Sequence, residues 1–175
     1  MLLAIDIGNT HTVIGAYDGE RLAAMWRVAT DRSVTADQLR VTLSSLFALD
    51  DLALTGVRAS AVASVVPQIS RAWIQAIADA TGTAPLVCSA ETAAGLFEAD
   101  YPRPHEIGAD RVADAVAALS LYGAPVVVVD FGTATNIEVI DGEGRFRGGV
   151  IAPGVQTSAN ALFACGAQLP DIALV

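Results

Sequence analysis

The first thirty positions contain three apolar runs separated by polar turn residues, which is the pattern of three consecutive strands joined by turns. Apolar runs predict strands at residues 2–6, 12–17 and 22–28. Glycine and small polar residues at 8–10 predict the first turn, and Asp18 with Gly19 predicts a tight hairpin. The N-terminal run has no basic flank and is interrupted at once by Asp6, so we interpret it as a strand and not as a signal peptide.

The following residues change to a helical period. Thr35, with Gln38 three residues later, predicts a capping box at the start of a first helix. A buried strand is predicted at 59–66, a second helix around 69–80 and a short strand at 85–88. Residues 91–107 are rich in turn formers and predict irregular structure before a third helix around 112–119.

The remaining chain echoes the first part. LLAIDIGNTHTVIGAYDGERL, from residue 2, resembles VVVVDFGTATNIEVIDGEGRF, from residue 126, and Asp6 and Asp130 lie 124 residues apart. Both stretches have a strand, Asp-x-Gly, a polar turn, a strand and an Asp-Gly hairpin, so we interpret them as a duplication. The sequence predicts strands at 125–130, which we expect to be buried, at 135–140 and at 146–152, then a helix at 157–165.

The duplication predicts two domains of an α/β fold. The first, residues 1–118, adds helices and strands after its hairpins and is predicted to be complete. The second, residues 119–175, has room only for the hairpins and one helix, so we expect it to be incomplete. An uncovered half-sheet would expose apolar surface and strand edges.

Composition excludes several functions. All ten basic residues are Arg, and without Lys there is no Walker A loop and no Schiff-base chemistry. The net charge is −9 and no basic stripe is present, so we expect neither nucleic acid nor a membrane as partner. Cys88 and Cys165 have no metal-ligand spacing, and we interpret them as buried free thiols.

The two Asp-x-Gly turns together predict a clamp for phosphates. Glycine lets the backbone approach an anion, turn N–H groups donate hydrogen bonds, and carboxylates at strand ends can hold hydrated Mg²⁺. Asn9, Thr10, Thr133 and Thr135 add side-chain donors. This chemistry is that of the actin-like (ribonuclease H-like) kinases, although each Asp taken alone would be read as a turn cap.

A third segment, from Tyr101 to Arg111, carries Asp110 at the predicted start of a helix. The helix dipole favours an anion there, so this segment taken alone favours a helix cap over a functional carboxylate at Asp110.

Three motifs together resemble type III pantothenate kinases. They are Asp6-Ile7-Gly8-Asn9-Thr10, Gly108-Ala109-Asp110-Arg111 and Asp130-Phe131-Gly132-Thr133-Ala134-Thr135, and weaker matches occur at Thr30-Asp31, at 148–154 and at Leu169-Pro170. The set occurs in order along essentially the whole chain, which makes it far more specific than any one motif.

The resemblance implies an actin-like cytoplasmic homodimer that transfers the γ-phosphoryl group of ATP to pantothenate, assisted by Mg²⁺ and by K⁺ or NH₄⁺. Asp110 would be the proton acceptor, Asp130 would hold the monovalent cation, and Asp6 would hold Mg²⁺ through the phosphates. The nucleotide would contact Asp6, Ile7, Gly8, Asn9, Thr10, His11, Thr12, Val13, Gly132 and Thr133. Pantothenate would contact Tyr101, Gly108, Ala109, Asp110 and Arg111.

Two other functions remain open from the sequence. One is a different actin-like kinase for a sugar or acetate, which the Gly-Ala-Asp-Arg segment disfavours. The other is a non-catalytic regulator, which has no need to keep Asp6, Asp110 and Asp130 together. Asn136 and His11 depart from the residues usual in the family, and neither change removes the donors of a turn.

The resemblance also generates a prediction about the 175-residue chain alone. The family's adenine-contacting glycine motif and a pantothenate-contacting threonine would lie beyond Val175, so we expect this chain to bind ATP poorly and to be inactive. Isothermal titration calorimetry checks this, and micromolar ATP binding would contradict it.

Overall fold

The computed structural model describes residues 1–165 and divides them between two compact units. The first unit contains Met1–Ala93 and His105–Ala113, and the second contains Ala94–Pro104 and the chain from Asp114 onward. The predicted domain limits, 1–118 and 119–175, remain a prediction. In the structure, residues 94–104 belong to the second unit and residues 105–113 to the first, and the boundary between 113 and 114 falls inside a helix.

The first unit is built on a mixed sheet of five strands, which correspond to the five strands predicted there. Its strands are β1 (Leu2–Ile7), β2 (His11–Asp18), β3 (Arg21–Ala29), β4 (Ala59–Ser64) and β5 (Leu86–Val87). They lie in the order β3-β2-β1-β4-β5, with β1 antiparallel to β2 and parallel to β4. The fourth strand ends two residues earlier than predicted because the chain turns at residues 65 and 66 into a helix that begins with Pro67.

Two helices of this unit supply much of its core. Helix α1 (Ala36–Leu49) begins with the predicted capping box of Thr35 and Gln38, and α2 (Pro67–Thr81) ends at a left-handed glycine, Gly82. Their apolar faces are buried together with the inner face of the sheet. The fully or almost fully buried side chains include Leu3, Ile7, Ile14, Leu43, Phe47, Ile69, Trp73 and Ile77.

The second unit contains a four-stranded sheet of order β6-β9-β8-β7, with β6 (Glu98–Ala99), β7 (Val126–Phe131), β8 (Ala134–Ile140) and β9 (Arg145–Pro153). Helix α3 (Ala109–Tyr122) begins in the first unit and continues into the second, and α4 (Val155–Cys165) follows β9. The rings of Phe97 and Phe146 pack 5.6 Å apart in its core.

Strand β6 was not predicted; residues 91–107 were expected to be irregular. It has only two residues, which show no period, and it forms because Glu98 and Ala99 pair with Arg145 and Phe146 of β9. A pairing partner almost fifty residues away cannot be read from local sequence.

The expectation that β7 is buried was wrong, because none of its six residues is buried: two are partly exposed and four are exposed. Its apolar run is typical of a strand covered on both faces, but Val127 and Val129 are 56% and 45% exposed and Phe131 is exposed as well. Their cross-strand neighbours extend this surface, since Val139 of β8 and Val150 of β9 are also exposed. The predicted uncovered apolar face is therefore observed among the described residues.

No helix among the described residues is long and apolar enough to cross a bilayer.

Trp73 provides a test of the first core. It is 1% exposed, so Trp73→Ala should lower the free energy of unfolding of the first unit by about 3–5 kcal/mol through the cavity it leaves. Urea denaturation followed by the fluorescence of Trp26, the remaining tryptophan, measures the change.

Leu49→Ala is the matched control. Because Leu49 is 76% exposed, this substitution should lower the free energy of unfolding by less than about 0.5 kcal/mol. Equal effects of the two substitutions would contradict the assigned packing.

Candidate active site

The carboxyl ends of three parallel strands of the first unit, β1, β4 and β5, share one edge of the sheet. Ligands of open α/β sheets usually bind at this edge. Strand β1 delivers Asp6 to it with an exposed side chain, and the chain then turns through Gly8, Asn9 and Thr10 into β2. The first predicted phosphate-binding turn therefore lies where a ligand site is expected.

Backbone hydrogen bonds define the shape of this turn. Ile7 and Thr12 form the last strand pair, and beyond it the N–H of Gly8 donates to the carbonyl of His11 at 3.1 Å. A Cβ on residue 8 would lie 2.9 Å from that carbonyl oxygen, so glycine is needed for the close approach. The side chains of Ile7 and Thr12 are buried, whereas those of Asn9, Thr10 and His11 are exposed.

The start of α3 meets the same edge of the sheet. The N–H of Val65 donates to the carbonyl of Ile7 at 3.1 Å, and Val65 Cγ1 lies 3.7 Å from where a Cβ on Gly108 would be. Val65 thus joins the end of β1 to the segment that begins at Gly108. The structure brings together two predicted site segments that lie a hundred residues apart in sequence.

Asp110 is half-buried in the first turn of α3. Its Oδ1 accepts the N–H of Arg111 at 2.8 Å, and a Cβ on Gly108 would lie only 2.5 Å from the same oxygen. The absence of a side chain at 108 therefore makes room for the carboxylate. The carboxylate of Asp110 lies in the first turn of the helix, a position that suits a helix-terminal anion and a proton acceptor alike.

Cys88 is a neighbour of Asp110 that the sequence did not reveal. It follows β5, and its thiol donates to the carbonyl of Ala109 at 3.5 Å. Burial raises the pKa of Cys88, and the negative charge of Asp110 raises it further. The expectation of two buried thiols was wrong, since Cys88 is half-buried and Cys165 is exposed.

The second unit carries the repeated turn. Asp130 lies near the end of β7 with an exposed side chain, and the N–H of Gly132 donates to the carbonyl of Ala134 at 2.9 Å. The last strand pair is Phe131 with Thr135, so this turn is one residue shorter than the first. A Cβ on Gly132 would lie 3.9 Å from Asp130 Oδ2, which places the carboxylate beside the turn.

The predicted site residues are divided between the units. The first unit holds the segment from Asp6 to Val13 and the segment from Gly108 to Arg111, while the second holds Tyr101, Asp130, Gly132 and Thr133. Tyr101 is 42% exposed and follows β6. Leu169 and Pro170, which contributed to the resemblance, lie outside the described residues.

No three His, Cys, Asp or Glu side chains within residues 1–165 are arranged to hold a metal ion by themselves. Asp6 and Asp130 each lie near the end of a strand, beside one of the two turns. Mg²⁺ commonly takes one or two carboxylates and completes its shell with water and substrate phosphates, so a carboxylate beside each turn fits a cation bound together with a nucleotide.

Comparison with known proteins identifies the family of this chain. The sequence pattern of type III pantothenate kinases matches residues 2–175. The type III pantothenate kinase of Moorella thermoacetica is 42% identical over 175 residues, and that of Roseiflexus castenholzii is 44% identical over 176 residues. This chain belongs to the type III pantothenate kinase family. Each alignment covers all of this chain and 68% of the relative.

Solved structures show the fold that this pantothenate kinase family member adopts. A Campylobacter jejuni protein named as a Baf family transcriptional activator superposes with a TM-score of 0.51 at 17% identity, over 99% of this chain and 67% of that one. The ethanolamine utilization protein EutJ from Carboxydothermus hydrogenoformans gives 0.50 at 19% identity, over 97% and 57%. At these identities the likeness concerns the fold alone, and the predicted α/β, actin-like fold is confirmed.

The contact between Cys88 and Asp110 can be tested without any assay of activity. Asp110→Asn removes the negative charge, so the pKa of Cys88 should fall and more thiolate should be present near pH 8. We therefore expect faster alkylation of Cys88 by iodoacetamide, with a pH–rate profile moved to lower pH, when both proteins carry Cys165→Ser.

Asp37→Asn is the control, since Asp37 occupies the same position in the first turn of α1. It should leave the profile of Cys88 unchanged. An unchanged profile in Asp110→Asn would show that the carboxylate does not lie beside the thiol.

Proposed function

We propose that this protein transfers the γ-phosphoryl group of ATP to the primary hydroxyl of pantothenate, forming 4′-phosphopantothenate in the first step of coenzyme A biosynthesis. Family membership supports the reaction. The observation that carries the proposal is the shared edge of the first sheet, where Val65 joins the Asp6 turn to the Asp110 helix. A phosphate-binding turn and a carboxylate for the acceptor alcohol belong in one site for this chemistry.

Asp110 is the proposed proton acceptor. Phosphoryl transfer usually passes through a loose transition state, so the carboxylate acts first by orienting the hydroxyl and accepts its proton late. The half-buried position limits the competition from water, and the bond from the Arg111 N–H leaves the second carboxylate oxygen for the substrate alcohol.

The two Asp-x-Gly turns are the proposed phosphate-binding segments. The segment of residues 6–13, and Gly132 with Thr133, would contact the phosphates of ATP, with N–H groups of the turns other than those of Gly8 and Gly132 as donors. Asp6 would hold Mg²⁺ through the phosphates, and Asp130 would hold K⁺ or NH₄⁺, as their exposed carboxylates beside the turns allow. A bound cation would neutralise charge that develops on the phosphates.

The remaining proposals concern pantothenate and the assembly. Tyr101 and the segment Gly108 to Arg111 would contact pantothenate, which would place Arg111 where its guanidinium could pair with the pantothenate carboxylate. A cytoplasmic homodimer is proposed from the family resemblance. The domain limits at 118 and 119 are proposed from the repeat.

A coupled assay of ADP release from the product of the complete gene tests this function, with pantothenate compared against sugars and acetate. Asp110→Asn should lower kcat by about 10²–10⁴-fold, because the alcohol loses its orienting acceptor. Circular dichroism should confirm that the variant is folded.

Asp37→Asn again serves as control, since it removes an exposed first-turn helix acid whose observed partner is Arg40 of the same helix. Its kcat should stay within about twofold of the unmodified protein. Near-normal turnover of Asp110→Asn would remove Asp110 from the mechanism, and turnover of a sugar or acetate in place of pantothenate would overturn the proposed substrate.

A further inference from the structure

Thr30, the first residue after β3, holds the first turn through two carbonyl groups. Its N–H donates to the carbonyl of Thr10 at 3.0 Å, and its hydroxyl donates to the carbonyl of Gly8 at 2.7 Å. The buried hydroxyl of Thr12 lies 3.0 Å from the hydroxyl of Thr30 and donates to it, because the Thr30 hydrogen is directed to Gly8. One residue therefore fixes two carbonyls of a turn that has only four residues, those between Ile7 and Thr12.

These two hydrogen bonds also orient N–H groups. In a planar trans peptide, the C=O of one residue and the N–H of the next point in opposite directions. With the carbonyls of Gly8 and Thr10 directed to Thr30, the N–H groups of Asn9 and His11 point away from it. A phosphate-binding turn needs this outcome, because carbonyl oxygens repel an anion and N–H groups attract it.

In the second unit, residues that follow the third strand also bond to the turn, but through different chemical groups. The N–H of Gly154 donates to the carbonyl of Thr133 at 3.0 Å, and the hydroxyl of Thr157 donates to the same oxygen at 2.9 Å. Gly154 is the first residue after β9 and lies 124 residues after Thr30, the spacing of Asp6 and Asp130. The repeat therefore extends to the residues that hold the turns.

Gly154 also has a steric reason to be glycine. A Cβ there would lie 2.2 Å from the carbonyl oxygen of Gly132 and 2.6 Å from that of Thr133. Both obstacles are backbone atoms of the turn, which cannot rotate away as the end of a side chain could. Any larger residue at 154 must displace the turn itself.

We propose that Thr30, and Gly154 together with Thr157, are positioning residues that set the two turns for the phosphates of ATP. The proposal rests on the proposed function, since it assigns these turns to the nucleotide. None of the three residues needs to touch the substrate. Each acts by taking up carbonyl groups, so that the N–H groups of the turn are presented in a fixed direction.

Thr30→Val tests the first turn, because it removes the hydroxyl and keeps both the shape and the N–H. In the product of the complete gene, kcat/KM for ATP should fall about 10- to 100-fold, as expected from misplacement of a positioning group. The KM for pantothenate should change by less than about twofold. Thr30→Ser, which restores the hydroxyl, should recover most of the loss.

Thr42→Val is the matched control, since the Thr42 hydroxyl also donates to a backbone carbonyl, that of Gln38 in α1. For the second turn, Gly154→Ala should reduce kcat/KM for ATP, while Gly142→Ala should not, because a Cβ on Gly142 meets no atom within 4 Å. Equal losses for ATP and pantothenate, or a loss in Thr42→Val as large as in Thr30→Val, would overturn the proposal.

A second measurement keeps this proposal separate from the proposed function. Hydrogen exchange of the Gly8 amide, which donates to His11, should be faster in Thr30→Val, while exchange of the Gly132 amide should stay unchanged. Unchanged exchange at Gly8 would overturn the proposed positioning role even if pantothenate is the substrate. Absence of pantothenate turnover in the unmodified protein would instead refute the proposed function and leave the exchange result to decide whether Thr30 holds the turn.

Discussion

A turn that joins two strands has peptide groups outside the hydrogen-bond ladder, and other groups must satisfy and orient them. In this protein that requirement is met in each unit by the residues that follow the third of three consecutive antiparallel strands. Thr30 takes up two carbonyls of the first turn, and Gly154 with Thr157 takes up one carbonyl of the second. The direction of the turn N–H groups, and with it any capacity to bind phosphates, depends on these bonds.

The first unit must also bring together two segments that are far apart along the chain, the end of β1 and the start of α3. The edge where β1 ends receives the start of α3, although most of the intervening residues belong to other helices and strands. Val65 makes the connection by bonding to Ile7 and packing beside Gly108. Substitutions at Val65 or Gly108 would therefore affect the placement of Asp110 without touching its carboxylate chemistry. The raised pKa of Cys88 has the same origin, because the thiol is half-buried against this helix start.

Sequence reasoning succeeded where the signal was local or repeated. The strands of both hairpins were predicted to within one or two residues because apolar runs and Asp-Gly turns mark their limits. The capping box of Thr35 and Gln38 was predicted because it is a pattern of two residues at fixed spacing. Strand β6 was missed and the burial of β7 was overestimated, since pairing partners and coverage come from residues distant in sequence.

The amino-acid sequence by itself determined the repeat, the two Asp-x-Gly turns and the family, because each is a pattern of residue types at fixed spacing. It could not determine that Cys88 lies against Asp110, that Gly108 makes room for that carboxylate, or that Thr30 and Gly154 hold equivalent turns. Those contacts join residues that only the folded chain brings within a few ångströms of one another. Their effects on charge and peptide orientation act over that short range, and so only the tertiary structure decides them.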